Sequence, residues 1–281
     1  MAKLTAIQLT STPSVAENLA AIEHQLSLLE PSSKLTEEHL VVLPECCLFF
    51  GGRDAEQLAL AEQTYQSDQL RKALAALAKR YAVHLIAGSI PLYLSAENKF
   101  TNSCCVFSAD GEQIAQYDKI HLFDVNVDDN EKSYRESRYT QAGHNVVTAN
   151  INELTVGLSI CYDLRFPELF RHLASLGAAI ITVPSAFTKV TGQAHWQTLL
   201  QARAIENQVY IVAAGQQGIH ANKRETWGHS MIINPWGEII ACLEEGQGSI
   251  SADFCQQELA KIRQSIPVAK HNQFTTKLKN I

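Results

Sequence analysis

The chain has 281 residues, 46% of them hydrophobic, with a formal net charge of −6 and no basic block. That length can bury one large core, and the acidic balance argues against nucleic acid as a partner. No apolar run reaches the roughly 18 residues needed to cross a bilayer, so no membrane partner is expected.

The N-terminal residues enter a strand pattern at once, without the apolar region and cleavage site of a signal peptide, and a cytoplasmic setting is expected. His39–Pro44 reads as a short apolar strand ending at Glu45. Leu70, Leu74, Leu77 and Tyr81 recur at helical spacing and predict a helix over about 67–81. Strands are predicted at His84–Ile90 and Asn102–Ser108, and Asp110-Gly111 makes a tight turn into a further strand, Glu112–Tyr117. From 124 to 143 the pattern gives way to a polar connection, which at that length is either functional or disordered. Thr155–Ile160 is an apolar run ending on Cys161; Pro167 then suits a first helical turn, with Gly177 as C-terminal cap. A strand at Ala179–Pro184, a helix over about 195–207 and a strand at Val209–Ala214 follow. Two late strands, His229–Asn234 and Glu238–Leu243, flank the turn Pro235-Trp236-Gly237. Asn272–Ile281 reads as a polar tail suited to packing on a partner subunit. Alternating strands and helices mixed with hairpins imply an α/β layered fold with mixed sheets, as one domain over 1–281.

Seven cysteines are present, including the adjacent pairs Cys46-Cys47 and Cys104-Cys105, but no CxxC spacing suggests a disulfide framework or a zinc site. The ten histidines form no HExxH, and Walker, Gly-x-Ser-x-Gly and Gly-x-Gly-x-x-Gly patterns are absent, so no metal or cofactor is expected. Cys161 is the most informative residue. A thiol at a strand-to-helix corner sits where backbone N–H groups favour a thiolate, whereas an ordinary cysteine is a small buried hydrophobe. Glu45 and Lys119 share its context, each a reactive group at the end of an apolar strand. Taken singly, Glu45 is a solvated strand exit and Lys119 a surface charge.

Together the three change meaning. Leu43-Pro44-Glu45, Tyr117-Asp118-Lys119-Ile120-His121-Leu122 and Cys161-Tyr162-Asp163-Leu164-Arg165-Phe166-Pro167-Glu168 resemble, in order, the motifs of the nitrilase (carbon–nitrogen hydrolase) superfamily, and the resemblance extends over nearly the whole chain. It implies a four-layer α-β-β-α sandwich, dimerising through helices. It also implies an amidase using a covalent thioester and no cofactor. Cys161 would be the nucleophile and Glu45 the general base and acid. Lys119, with the Tyr162 N–H, would stabilise the oxyanion, and Glu136, matched in the loop after the lysine, would support Lys119.

Further segments look like the amidase branches acting on α-keto acid amides. Ser185-Ala186-Phe187 running into Thr191-Gly192, and Ala213–Arg224, favour the branch cleaving deaminated glutathione over the ω-amidase branch. The expected partner is thus a small amide bearing carboxylates, released as 2-oxoglutarate and Cys-Gly. An ω-amidase or carbamoyl-amide hydrolase is the alternative within enzymes, and an inactive binding module the alternative outside them. Arg165 is the candidate for a substrate carboxylate, against an internal salt bridge to Glu168 or Asp163. Phe187, Tyr162 and His195 are candidate pocket residues. The acidic stretch Asp128-Asp129-Asn130-Glu131 adds unwanted negative charge near an anion site.

Overall fold

A computed structural model describes residues 2–29, 38–129 and 132–279; Asn130, Glu131 and the last two tail residues therefore lie outside the described residues. The first sheet contains β1 (Ala2–Gln8), β2 (Glu38–Val42), β3 (His84–Ile86), β4 (Ile90–Leu94), β5 (Lys99–Phe107), β6 (Gln113–Asp118) and β17 (Gly248–Phe254). Its order is β17-β1-β2-β3-β5-β4, with β6 also paired to β5. The second contains β9 (Thr148–Ile151), β10 (Leu154–Leu158), β11 (Ile180–Thr182), β12 (Tyr210–Ala213), β15 (Ser230–Ile233) and β16 (Ile239–Leu243), in the order β16-β15-β12-β11-β10-β9. Each sheet has three parallel strands, β1-β2-β3 and β10-β11-β12, flanked by antiparallel ones.

The two sheets face each other, β1 against β12 and β15, and β6 against β9. Helices α1 (Val15–Ser27), α2 (Asp54–Tyr65) and α3 (Gln69–Tyr81) cover the first sheet, and α4 (Pro167–Ser175) and α5 (Lys189–Asn207) the second. The result is the expected four-layer α-β-β-α sandwich. Strands buried on both faces need continuous apolar runs, and Leu40-Val41-Val42 and Tyr210-Ile211-Val212 supply them. The covering helices need one apolar stripe; in α3, Leu70, Leu74, Leu77 and Ala78 are buried, and Ala82 ends the helix in the left-handed conformation.

Two sequence expectations are corrected. The predicted strand His84–Ile90 is two pieces, because Gly88 turns at φ +54°; a Cβ there would lie 1.9 Å from the Pro44 carbonyl oxygen. That close approach lets Ser89 receive the Cys46 N–H on its Oγ (2.9 Å) and the Cys47 N–H on its carbonyl (3.2 Å), fixing the chain beside Glu45. Helix α5 starts at Lys189 rather than near 195. Gly192 hides the start because it is a poor helix former, yet a Cβ there would meet Trp227 at 2.3 Å. Within the polar connection, β7 (Asp124–Asn126) pairs with β8 (Ser133–Arg135), and a 3₁₀ turn spans Glu136–Arg138. A second ribbon pairs β13 (Gln217–Ile219) with β14 (Glu225–Trp227). Helices α6 (Gln256–Ser265) and α7 (Val268–His271) follow β17, and residues 272–279 carry no helix or strand. Among the described residues no helix is long and apolar enough to cross a membrane.

Candidate active site

Open α/β sheets leave a crevice outside the carboxyl ends of their parallel strands. Here two such sheets face each other, and both contribute. Glu45 follows β2, Lys119 follows β6, Cys161 follows β10 and Ala186 follows β11. All four line one cleft, together with Glu136 and Asn102.

Lys119 is 2% exposed and Glu45 5%, so neither is the solvated surface charge it resembles when read alone. The Lys119 Nζ donates to Glu45 Oε1 (2.8 Å) and to Glu136 Oε1 and Oε2 (3.1 and 2.9 Å). Asn102 Nδ2 repeats this bridge, donating to Glu45 Oε1 (3.0 Å) and Glu136 Oε1 (3.1 Å). The other Glu45 oxygen accepts the Ala186 N–H (2.9 Å), and Gln216 Nε2 donates to the Glu45 carbonyl (3.0 Å). Glu136 also accepts the Phe123 N–H (2.7 Å), tying its turn to the loop after Lys119.

Charge states follow from this packing. Burial alone would push the Lys119 ammonium towards neutrality, but the Glu136 and Glu45 carboxylates outweigh it and raise its pKa well above the usual value. Burial likewise works against ionised Glu45, yet the charge and hydrogen bond of Lys119 hold its carboxyl below the ordinary glutamate value. Cys161 goes the other way. Burial, then the charge of Glu45 to which its thiol hydrogen-bonds, pushes its pKa up. The resting sulfur is therefore a neutral thiol, not the thiolate its position suggests from sequence. Cys161 N–H donates back to the Pro184 carbonyl (2.8 Å), so that dipole is spent on the strand rather than on the sulfur.

The Cys161 backbone is held sharply. Cys161 has φ +48°, a left-handed conformation costing about 1–2 kcal/mol for a residue with a Cβ, and it opens a 3₁₀ turn over Cys161–Arg165 before α4. Asp163, fully buried, holds that turn. It accepts the Ile160 N–H (2.9 Å) and the Tyr117 hydroxyl (2.7 Å) on one oxygen, and the His121 N–H (3.2 Å) on the other, which also pairs with His121 Nδ1 (2.7 Å). One carboxylate thus clamps the lysine segment to the cysteine segment. The Tyr162 N–H, second in the turn, has no carbonyl partner within that helix and is free in the sense of all helix N-termini.

Of the remaining candidates, Tyr162 and Phe187 line the cleft. Arg165 and His195 do not. Arg165 lies over the Phe187 ring (5.3 Å) and bonds His195 Nδ1 (3.3 Å), and it makes no salt bridge to Glu168 or Asp163. Sequence reasoning missed Asn102, Asp163 as a clamp, and Arg224, a cation that does line the cleft. A signal existed for Asn102: it is a polar residue inside the otherwise strand-forming Phe100–Phe107. Among the described residues, no group of three His, Cys, Asp or Glu side chains is placed to hold a metal ion.

The carbon–nitrogen hydrolase family model matches residues 3–264. A deaminated glutathione amidase of Yersinia enterocolitica is 41% identical over 279 residues, covering 99% of this chain and 95% of that protein. The omega-amidase NIT2 of Homo sapiens is 36% identical over 234 residues, covering 83% of each. Among solved structures, the C. elegans NitFhit protein superposes with a TM-score of 0.86 at 33% identity, covering 99% of this chain and 67% of that one.

Proposed function

Because the chain belongs to the carbon–nitrogen hydrolase family, and is therefore an amidase, we propose that it uses this cleft to hydrolyse deaminated glutathione to 2-oxoglutarate and Cys-Gly, with Cys161 as nucleophile. The observation that carries the chemistry is the buried Glu45–Lys119–Glu136 cluster against a neutral Cys161 thiol. The similarity to deaminated glutathione amidases carries the substrate.

In this reading Glu45 takes the thiol proton as the sulfur bonds to the amide carbon. The carbonyl electron pair moves onto oxygen, stabilised by a Lys119 N–H and the Tyr162 N–H. Glu136 can hold Lys119 through one N–H shared between its two oxygens, which leaves a donor for the oxyanion. The intermediate collapses as Glu45 returns its proton to nitrogen, the C–N bond breaks and the amine departs. Water then loses a proton to Glu45 and attacks the thioester; the thiolate leaves, takes that proton back, and the acid is released. One base serves both halves, which suits a carboxylate lowered by a neighbouring cation and so ionised at neutral pH.

The test is kcat/KM for deaminated glutathione beside α-ketoglutaramate and an N-carbamoyl amine. We expect a large preference for the first; a preference for either small amide would move the enzyme to the alternative branch and keep the site. Arg165 and His195 then shape the Phe187 wall from behind.

A homodimer is part of the proposal. Leu176 at the end of α4, Ile205 on α5 and Trp236 are 48%, 52% and 54% exposed, and the Gly237 turn packs on Ile205, so apolar side chains are exposed on and beside the covering helices. Phe274, 85% exposed, gives the tail an apolar anchor for the partner. Gel filtration is expected at about twice the 31.1 kDa of one chain, and a monomer would remove this part.

A further inference from the structure

Arg224, immediately before β14, has donors with nothing to bind. Its Nη2 donates to the Ala186 carbonyl (3.1 Å), and its guanidinium lies over the Phe50 and Tyr134 rings at 5.0 and 4.9 Å. Its Nε is buried without a hydrogen-bond partner. Among the described residues it forms no salt bridge, whereas the cleft's buried cation, Lys119, contacts two carboxylates. A guanidinium is a planar fork of five N–H donors, and two aromatic faces fix its plane, so the arrangement is preorganised for a carboxylate. Ala186 places that fork beside the chemistry: its N–H holds Glu45 and its carbonyl holds Arg224.

Position also says which carboxylate. Arg224 lines the catalytic cleft and an adjoining outer recess shared with Tyr134 and Lys189. In a thioester mechanism the amine half departs while the acyl half stays on sulfur, so the amine half must face the exit. The recess contains acids, but Glu225 is paired with Lys189 (2.7 Å) and Asp129 accepts the Tyr134 hydroxyl (2.7 Å). Asp128 also lines the recess, and its charge works against an anion on its side of it.

We propose that Arg224 binds the terminal carboxylate of the leaving amine, and so selects a peptide-like leaving group over ammonia. This rests on the thioester reading above. The test uses Arg224→Met, with Arg224→Lys as partial rescue and the iodoacetamide alkylation rate of Cys161 as a check that the site is folded. The ratio of kcat/KM for deaminated glutathione to that for α-ketoglutaramate should fall about tenfold or more, mainly through KM, with Lys intermediate. A ratio within about twofold of wild type, or equal loss on both substrates, would overturn the proposal; equal loss would mean that Arg224 acts on Glu45 through Ala186. Product inhibition gives an independent reading. Cysteinylglycine should inhibit the wild type more strongly than its C-terminal amide does, and Arg224→Met should erase the difference. If wild type leaves deaminated glutathione intact yet shows this Arg224-dependent inhibition, the substrate reading falls and the carboxylate site stands. No difference between the two inhibitors overturns the site itself.

Discussion

Cys161→Ala is expected to fold and to lose amide hydrolysis by at least about four orders of magnitude, because no other group can form the thioester. The other cysteine lining the cleft, Cys46, cannot substitute: Glu45 hydrogen-bonds the Cys161 thiol and not that of Cys46, so Cys46 has no base to take its proton. Stability should change by about 1 kcal/mol or less, since alanine keeps the Cβ at φ +48° and gives up only one buried sulfur. The check pairs a thermal melt with mass spectrometry of the wild-type enzyme caught with slow substrate. The wild type should carry the mass of an acyl group on the peptide containing Cys161. Turnover by Cys161→Ala above the buffer blank would remove the nucleophile assignment.

The second large effect is at Lys119. Lys119→Met keeps much of the side-chain volume but removes the charge between Glu45 and Glu136. Loss of an oxyanion donor is worth about a hundred- to a thousandfold in kcat, with KM less affected, because the oxyanion exists mainly in the transition state. Stability should also suffer, by about 3–5 kcal/mol at neutral pH, since two carboxylates are left buried without their cation.

The pH profile separates these two roles. In the wild type the folded-state pKa of Glu45 is depressed, so its contribution to stability is present above the unfolded glutamate value and is lost as pH falls through the folded value. Without Lys119, burial and the like charge of Glu136 raise that pKa, opposed only by the hydrogen bonds from Ala186, Asn102 and the Cys161 thiol. The sign then reverses: the variant loses stability as pH rises. The acid limb of its kcat/KM profile moves to higher pH, because the base must be ionised. Melts at two pH values and one pH–rate profile measure this, and an acid limb that stays in place would show that Lys119 does not set the state of Glu45.

Why some of this was legible in the sequence, and some not, has physical causes. The residues proposed for the chemistry announce themselves because they end apolar strands, where a polar side chain has no structural reason to be reactive; Glu45, Lys119 and Cys161 are all of this kind. The long elements were readable where period and caps agree, as in α3 and α4. Short pieces were not. The ribbon β7–β8 has three residues a side and owes its register to Ser137 and Asp124, whose hydrogen bonds no local pattern foretells. Long-range partners were hidden for the same reason. Asn102 meets Glu136 because β5 and β6 pair with Ser103 opposite Asp118, which sets Lys119 beside it. Arg165 looked like the anion site by its spacing from Cys161, yet the 3₁₀ turn carries it onto Phe187. Arg224, more than sixty residues away, reaches the cleft instead.

Glu45 follows a strand of the first sheet and Cys161 a strand of the second, so no hydrogen bond within either sheet ladder sets the gap between them. That gap is a property of how two slabs rest on one another, kept by side-chain packing and by cross-links that include those at Ala186, Gln216, Asp163, Leu9 and Gln8. A slip of one slab by a single strand residue, about 3.3 Å, would part acid from thiol while leaving the ladder within each sheet intact, at the cost of the backbone bridge from Leu9 to Gly215 and Gln217. Inactivation can therefore run ahead of unfolding, with catalysis lost while each slab remains intact.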